Sequence, residues 1–546
     1  MHEENDFDKK QNSGYLPQIV RRAWRRTTKK EGIMIRKAKT ENGIVKGLPA
    51  ADPRVTAFKG IPFAAPPVGE NRWRAPQPCP DWEGELEAYE FAPISVQNTP
   101  GLGTDIYCKE WHVDPEIPMG EDCLYLNVWT NAKSTEDKLP VLVWIFGGGF
   151  NWGYTAEMEF DGERFARRGV VVVTVNYRLN LFGFLAHPEL TKEQPDAPAN
   201  FGLLDQQAGI KWVKRNIAAF GGDPDNITIA GQSAGGGSVM QQLTSPQNEG
   251  LFQKAVIMSG AIRSPYMVQT PVTSPMSFEK AQEQGKGFFD FIGAKSLAEA
   301  RAMDAKWLLS KYDEYVVTHG RMFPIEDGVF TVGDPMKRIA TGQALNVPIM
   351  AGNTSDEFPN TIPAKDEAEL IAKAKEFFGD RADEFLSFAE SKKQISFMGN
   401  TAFAPVSGIE CSVKSLFLDR QENGNTKDCY YYRFDADIPG PDAPGTFHSV
   451  DLWFFFETLA KCWRPFTGKH YDVSRQMCNY MTNFIKTGNP NGVDIDGTPL
   501  PEWKTYTKEH NSGIVFGKEN CYAEENSDSG FVDFLIEEIR GQLKED

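Results

Sequence analysis

Ser233 is the residue around which chemistry can be built. It stands in Gly231-Gln232-Ser233-Ala234-Gly235, a G-x-S-x-G pattern, whose glycines permit a tight turn that presents the hydroxyl at its apex. Ile227-Thr228-Ile229-Ala230 is a short β-prone run after an Asp-Pro-Asp turn, so a strand leads into the serine. Small residues from Ala234 to Ser238 then open an apolar, Met-containing segment of helical character. Strand, sharp turn and helix form the context in which this pattern carries a nucleophile rather than a plain glycine-rich loop.

A serine hydroxyl is a poor nucleophile at neutral pH. It needs a base, and the base needs an acid to orient it. On a strand-turn-helix scaffold of this kind the chain order is serine, acid, histidine, with the last two on loops after later strands. His448, His470 and His510 follow the late strands. His448 lies in a Pro/Gly-rich loop soon after the β-prone run Asp428–Phe434, whereas His470 falls in a helical stretch and His510 in a polar turn. Position favours His448. The acid is expected after the run Val347–Gly352, where Asp356 and Glu357 are both candidates and spacing does not choose between them. Acyl transfer also needs donors for an oxyanion. Gly147-Gly148-Gly149 follows the apolar run PVLVWIF and matches a glycine loop that offers backbone N–H groups, with the Ala234 N–H as a further donor. A phosphate-binding reading of that loop is weak, because no G-K-[ST] follows it.

These groups require a scaffold, and the rest of the chain describes one. PVLVWIF (Pro140–Phe146) and GVVVVTVNY (Gly169–Tyr177) are continuous apolar runs, as expected of strands covered on both faces. Leu203–Ala219 has apolar residues at helical spacing. The reading is an α/β fold with a large, mostly parallel central sheet flanked by helices. Residues 265–345 lack such runs and read as a largely helical insertion, and a final helix spans Phe531–Gln542. Phe58–Gly69, rich in Pro and Gly, reads as a rigid, extended surface segment. Residues 1–32 stand apart as a basic leader carrying Arg21, Arg22, Arg25, Arg26, Lys29 and Lys30, and 33–546 reads as one domain.

Composition excludes several partner classes. A net charge of −17 disfavours nucleic acid and anionic membranes. No stretch approaches the ~20 apolar residues of a membrane span. The eight cysteines include no C-x-x-C and no Cys/His cluster with zinc spacing, so neither a disulfide scaffold nor a metal site is expected. With no apolar signal segment at the N-terminus, a cytoplasmic location is expected. Oligomeric state is not encoded in any motif.

Taken together, FKGIPFAAPPVGENRWRAPQP, EDCLYLNVW, WIFGGGFNWG, NYRLNLFGFL, NFGLLDQQAGIKWVKRNIAAFGGDPDNITIAGQSAGGGS and NFIKTGNPNG resemble, in order, the markers of the type-B carboxylesterase family. That family has the α/β-hydrolase fold and includes cholinesterases, bacterial para-nitrobenzyl esterases and some fungal lipases. The likeness covers nearly everything after residue 33. It implies Ser233 as nucleophile, His448 as base and Glu357, rather than Asp356, as acid. It also implies Gly148, Gly149 and Ala234 as oxyanion donors and Ser259 as a serine supporting the triad. The implied activity is cofactor-free hydrolysis of a small carboxylic ester. Hydrolysis of an amide, thioester or feruloyl-type ester is the alternative within the same chemistry. A non-catalytic interaction protein is disfavoured by the intact Ser, Glu and His. Three departures stand out: Phe146 replaces a frequent His or Tyr before the glycines, Gln232 replaces a frequent Glu beside the nucleophile, and Ile94–Asn98 lacks the cysteine that secreted relatives pair with the one matching Cys123. Trp111, Trp152 and the run Trp453–Phe456 are aromatic candidates for a pocket wall, with core packing as the alternative for the run.

Overall fold

The computed structural model describes residues 34–263, 275–362, 364–391, 396–398, 401–525, 528 and 530–545. The basic leader lies outside them. The apolar runs become strands of one sheet, in chain order β1 (Leu48–Pro49), β2 (Thr56–Pro62), β3 (Tyr125–Thr130), β4 (Leu139–Ile145), β5 (Val171–Val175), β6 (Gly222–Gln232), β7 (Lys254–Met258), β8 (Ile349–Thr354), β9 (Cys429–Phe434), β10 (Gly513–Phe516) and β11 (Cys521–Glu524). The spatial order is β11-β10-β9-β8-β7-β6-β4-β5-β3-β2-β1. Strands β5 to β10 are parallel to their neighbours across the centre, and antiparallel pairs close both ends. Every residue of β5 and β7 is buried. That explains why β5 reads as unbroken valine and threonine instead of alternating.

The strand order contains the reason for the site's position. After β4 the chain passes to β5 on one side, then crosses through helix α1 (Phe201–Asn216) to β6 on the other. In open α/β sheets the crevice beyond the carboxyl ends at such a reversal is where ligands bind. The glycine loop leaves β4 at that crevice, and the serine leaves β6 beside it, with Ile145 in register with Gly231.

Three features differ from the sequence reading. Phe58–Pro62 belongs to β2 and pairs with β3; Phe58 and Ile61 are fully buried, so this stretch, with its single proline at the strand's end, is a sheet strand and not a surface strap. Strand β7 was hidden because four apolar residues between polar neighbours are too short to stand out from a helix segment. The insertion is helical as expected, with α3 (Phe278–Ile292) and α4 (Ala305–His319) its longest elements, but it includes a two-residue parallel pairing of Met276–Ser277 with Ile325–Glu326. A separate antiparallel sheet joins Pro359–Ile362, Thr401–Ser407 and Ser396–Met398. The aromatic run is core: Trp453, Phe454, Phe455 and Phe456 are all fully buried, with Phe456 edge-on to Trp144 at 4.9 Å.

Candidate active site

Ser233 joins β6 to helix α2 (Ala234–Thr244) with φ +57° and ψ −124°, a conformation that costs a non-glycine residue strain and persists only where the surroundings impose it. Its N–H donates to the Met258 carbonyl at 2.8 Å, and its carbonyl accepts from the Gly237 N–H at 2.8 Å. The glycines of the pattern are steric necessities. A Cβ on Gly235 would sit 2.1 Å from the Ile145 carbonyl oxygen, and one on Gly231 would sit 2.4 Å from that of Gly235. Only bare backbone lets α2 start so close to β4 and β6.

The expected partners arrive from the carboxyl ends of later strands. His448, on the loop after β9, places Nε2 2.7 Å from the Ser233 hydroxyl oxygen. Its Nδ1 makes a short contact with Glu357 Oε2. Glu357, just past β8, is buried, and its Oε1 accepts from the Ser259 hydroxyl at 2.7 Å and from the Thr354 N–H at 2.8 Å. A carboxylate held by two donors stays oriented toward the imidazole. Asp356 serves elsewhere: its Oδ2 accepts from the N–H and hydroxyl of Thr446 at 2.8 and 3.0 Å, fixing the loop that carries His448. Ser259 itself leaves the end of β7 at φ +47° and is fully buried. Of the remaining late histidines, His470 caps the helix Gly468–Thr487 and His510 lies in an exposed polar turn.

The glycine loop curls against Ser233. A Cβ on Gly147 would lie 3.1 Å from that of Ser233, and Gly148 and Gly149 have φ of +106° and +59°. Among the described residues, the N–H groups of Gly148, Gly149 and Ala234 donate to no protein acceptor, which leaves all three available to a ligand. Phe146 offers no side-chain hydrogen bond, and the loop is braced instead by its neighbours. The Tyr177 ring stacks on Phe146 at 4.3 Å while its hydroxyl donates to the Phe146 carbonyl at 2.8 Å. Gln97 holds Gly153 through both backbone groups, at 2.9 and 3.0 Å. Gln232 turns its amide nitrogen to within 3.3 Å of His448 Nε2, so a neutral group stands beside the imidazole.

These residues open onto a cavity of about 1070 Å³ whose walls include Trp111, Trp152, Phe358 and Leu452. Trp111 stacks on Phe447, the residue before His448, at 6.4 Å. Trp152 carries the Arg321 guanidinium over its ring at 4.4 Å. One wall holds groups that the sequence reading missed. His112 Nε2 lies 3.2 Å from Glu157 Oε1, with Glu159 behind. Burial pushes Glu157 up to about 7 and Glu159 well above the carboxylate range, and it lowers His112. No motif marks them, because only the fold brings residue 112 to residue 157. Among the described residues, no group of three or more His, Cys, Asp or Glu side chains is disposed to hold a metal ion, and no helix is long and apolar enough to cross a membrane. All eight cysteines are free thiols.

The sequence model of the carboxylesterase family matches residues 36–535. The chain belongs to the carboxylesterase family. It is 33% identical over 504 residues to the para-nitrobenzyl esterase of Bacillus subtilis (strain 168), covering 88% of this chain and 94% of that one. It is 36% identical over 442 residues to the fumonisin B1 esterase of Sphingopyxis macrogoltabida, covering 77% and 74%. A solved PNB esterase structure superposes with a TM-score of 0.73 at 30% identity, over 92% of this chain and 99% of that one. The α/β-hydrolase fold and the assignment as a carboxylic ester hydrolase follow.

Proposed function

We propose that this carboxylesterase works through an acyl-enzyme formed on Ser233. His448 Nε2 takes the hydroxyl proton as Ser233 Oγ attacks the ester carbonyl. Glu357, oriented by Ser259 and Thr354, holds the imidazole and stabilises the imidazolium that forms. The Gly148, Gly149 and Ala234 N–H groups receive the oxyanion; such donors are commonly worth about 3 kcal/mol each in the transition state. His448 then protonates the departing alcohol, and water repeats the sequence to release the acid. The observation that carries this reading is the unbroken contact chain Ser233–His448–Glu357–Ser259, whose Ser233 and His448 line a cavity with room for an ester substrate. Small carboxylic esters are the substrate class that this cavity and the relatives' names support.

The test is burst kinetics on para-nitrophenyl esters from acetate to octanoate, plus ferulate, with wild type and Ser233→Ala. The expected result is a burst in the wild type and a loss of turnover in the variant of roughly 10⁴-fold or more. Equal, near-background release from both proteins would overturn the proposal.

A further inference from the structure

Phe358, the residue directly after Glu357, combines three features that ordinary packing does not require of one side chain. Its φ is +39°, in the left-handed region where glycine is the relaxed residue and a bulky side chain is strained. It is 43% exposed, so the strain is not offset by burying the ring in the core. And the exposed ring stands against the base, centroid to centroid 4.7 Å from the His448 imidazole at an interplanar angle of 72°.

The surroundings explain why the backbone must bend there. Glu357 is pinned from three directions by Ser259, Thr354 and His448. One residue later the chain enters the small antiparallel sheet, where Pro359 pairs with Ser407, and the Phe358 carbonyl accepts from the Gly408 N–H at 3.1 Å. The turn is therefore over-determined by its neighbours, and nothing in those contacts calls for an aromatic side chain. The ring that fills it faces the cavity together with His448, Ser449 and Leu452.

Position fixes what such a ring can do. In the acyl-enzyme reaction His448 must hand its proton to the leaving oxygen, so the alcohol portion of the ester lies on the base's side of Ser233. Among the described residues, Phe358 is the cavity-wall side chain in ring contact with that base. We propose that Phe358 is a specificity-determining residue that limits the size of the alcohol group the enzyme can release. This rests on the acyl-enzyme reading of the same site. The ring takes up cavity space where a bulky alkoxide would have to sit, and it leaves the acyl group, which lies away from the base, unrestricted.

The experiment compares kcat/KM for acetate esters of ethyl, benzyl and 1-naphthyl alcohols in wild type, Phe358→Gly and Phe358→Trp, with para-nitrophenyl esters of growing acyl length as the control series. Phe358→Gly is expected to raise the naphthyl-to-ethyl ratio by about tenfold or more, and Phe358→Trp to lower it by about as much, from pocket volume alone. The acyl-length profile is expected to stay unchanged in both. The two variants act in opposite directions, so the proposal remains testable if one of them does not fold. An unchanged alcohol ratio with Ser233-dependent turnover intact overturns the role of Phe358 alone, as does an acyl profile that moves in step with the alcohol series. An absence of Ser233-dependent turnover in the wild type overturns the acyl-enzyme reading and this inference with it.

Discussion

Asp451 gives the sharpest test of the electrostatics around the site. It is fully buried three residues after His448, its Oδ2 accepts from the Tyr432 hydroxyl at 3.2 Å, and its Oδ1 has no hydrogen-bond partner. Burial first, and the nearby Glu357 charge second, push its carboxyl from 3.8 up to about 8. In the folded protein it is then protonated at neutral pH, whereas in the unfolded chain it is ionised. The folded state binds the extra proton, so stability is present at low pH and lost as pH rises from about 4 through about 8. One pKa unit is worth about 1.4 kcal/mol, so this single group lowers stability by about 4 kcal/mol between pH 5 and pH 8. Asp451→Asn keeps the shape and the acceptor for Tyr432 but cannot ionise. Guanidinium unfolding followed by tryptophan fluorescence at each pH is the assay. The stability of the variant relative to wild type should rise by about 4 kcal/mol from pH 5 to pH 8. Glu157 and Glu159, also raised by burial, slope both curves in the same direction, so the difference between the curves isolates Asp451. A difference that stays constant from pH 5 to pH 8 would refute the reasoning.

Two further substitutions probe what holds Ser233 and Glu357 in place. Ser259→Ala removes the hydroxyl that donates to Glu357 Oε1 at 2.7 Å; a hydrogen bond to a buried carboxylate is worth about 2 kcal/mol, so kcat should fall by about tenfold or more with little change in KM, read from steady-state kinetics. Gly235→Ala drives a methyl to 2.1 Å from the Ile145 carbonyl oxygen. Backbone must move to relieve that contact, so the variant should lose about 3 kcal/mol or more of stability, seen as a melting temperature several degrees lower.

Much of the architecture was legible because burial writes itself into composition. Strands covered on both faces, such as β4 and β5, cannot carry polar residues on either side, so they appear as unbroken apolar runs. The glycines around Ser233 are legible for the same local reason: no side chain fits between Gly235 and the Ile145 carbonyl. Strand β2 is masked in the sequence because Pro62 ends it and Pro66 and Pro67 follow close behind, and β7 because a strand that short has no period to detect.

The sequence by itself pointed to Ser233 and its turn and to the parallel sheet, since each is a local pattern, and to His448 by its place in a loop after a late strand. It left Asp356 and Glu357 level on spacing, and resemblance to a family was needed to separate them. The tertiary structure separates them physically: two adjacent carboxylates on one turn find different partners, one meeting His448 and Ser259, the other Thr446. The same holds for the pairing of His112 with Glu157, the fully buried Asp451 and the ring of Phe358 against the base. Contacts between residues tens or hundreds of positions apart depend on where loops from different strands converge, and no local spacing records that convergence.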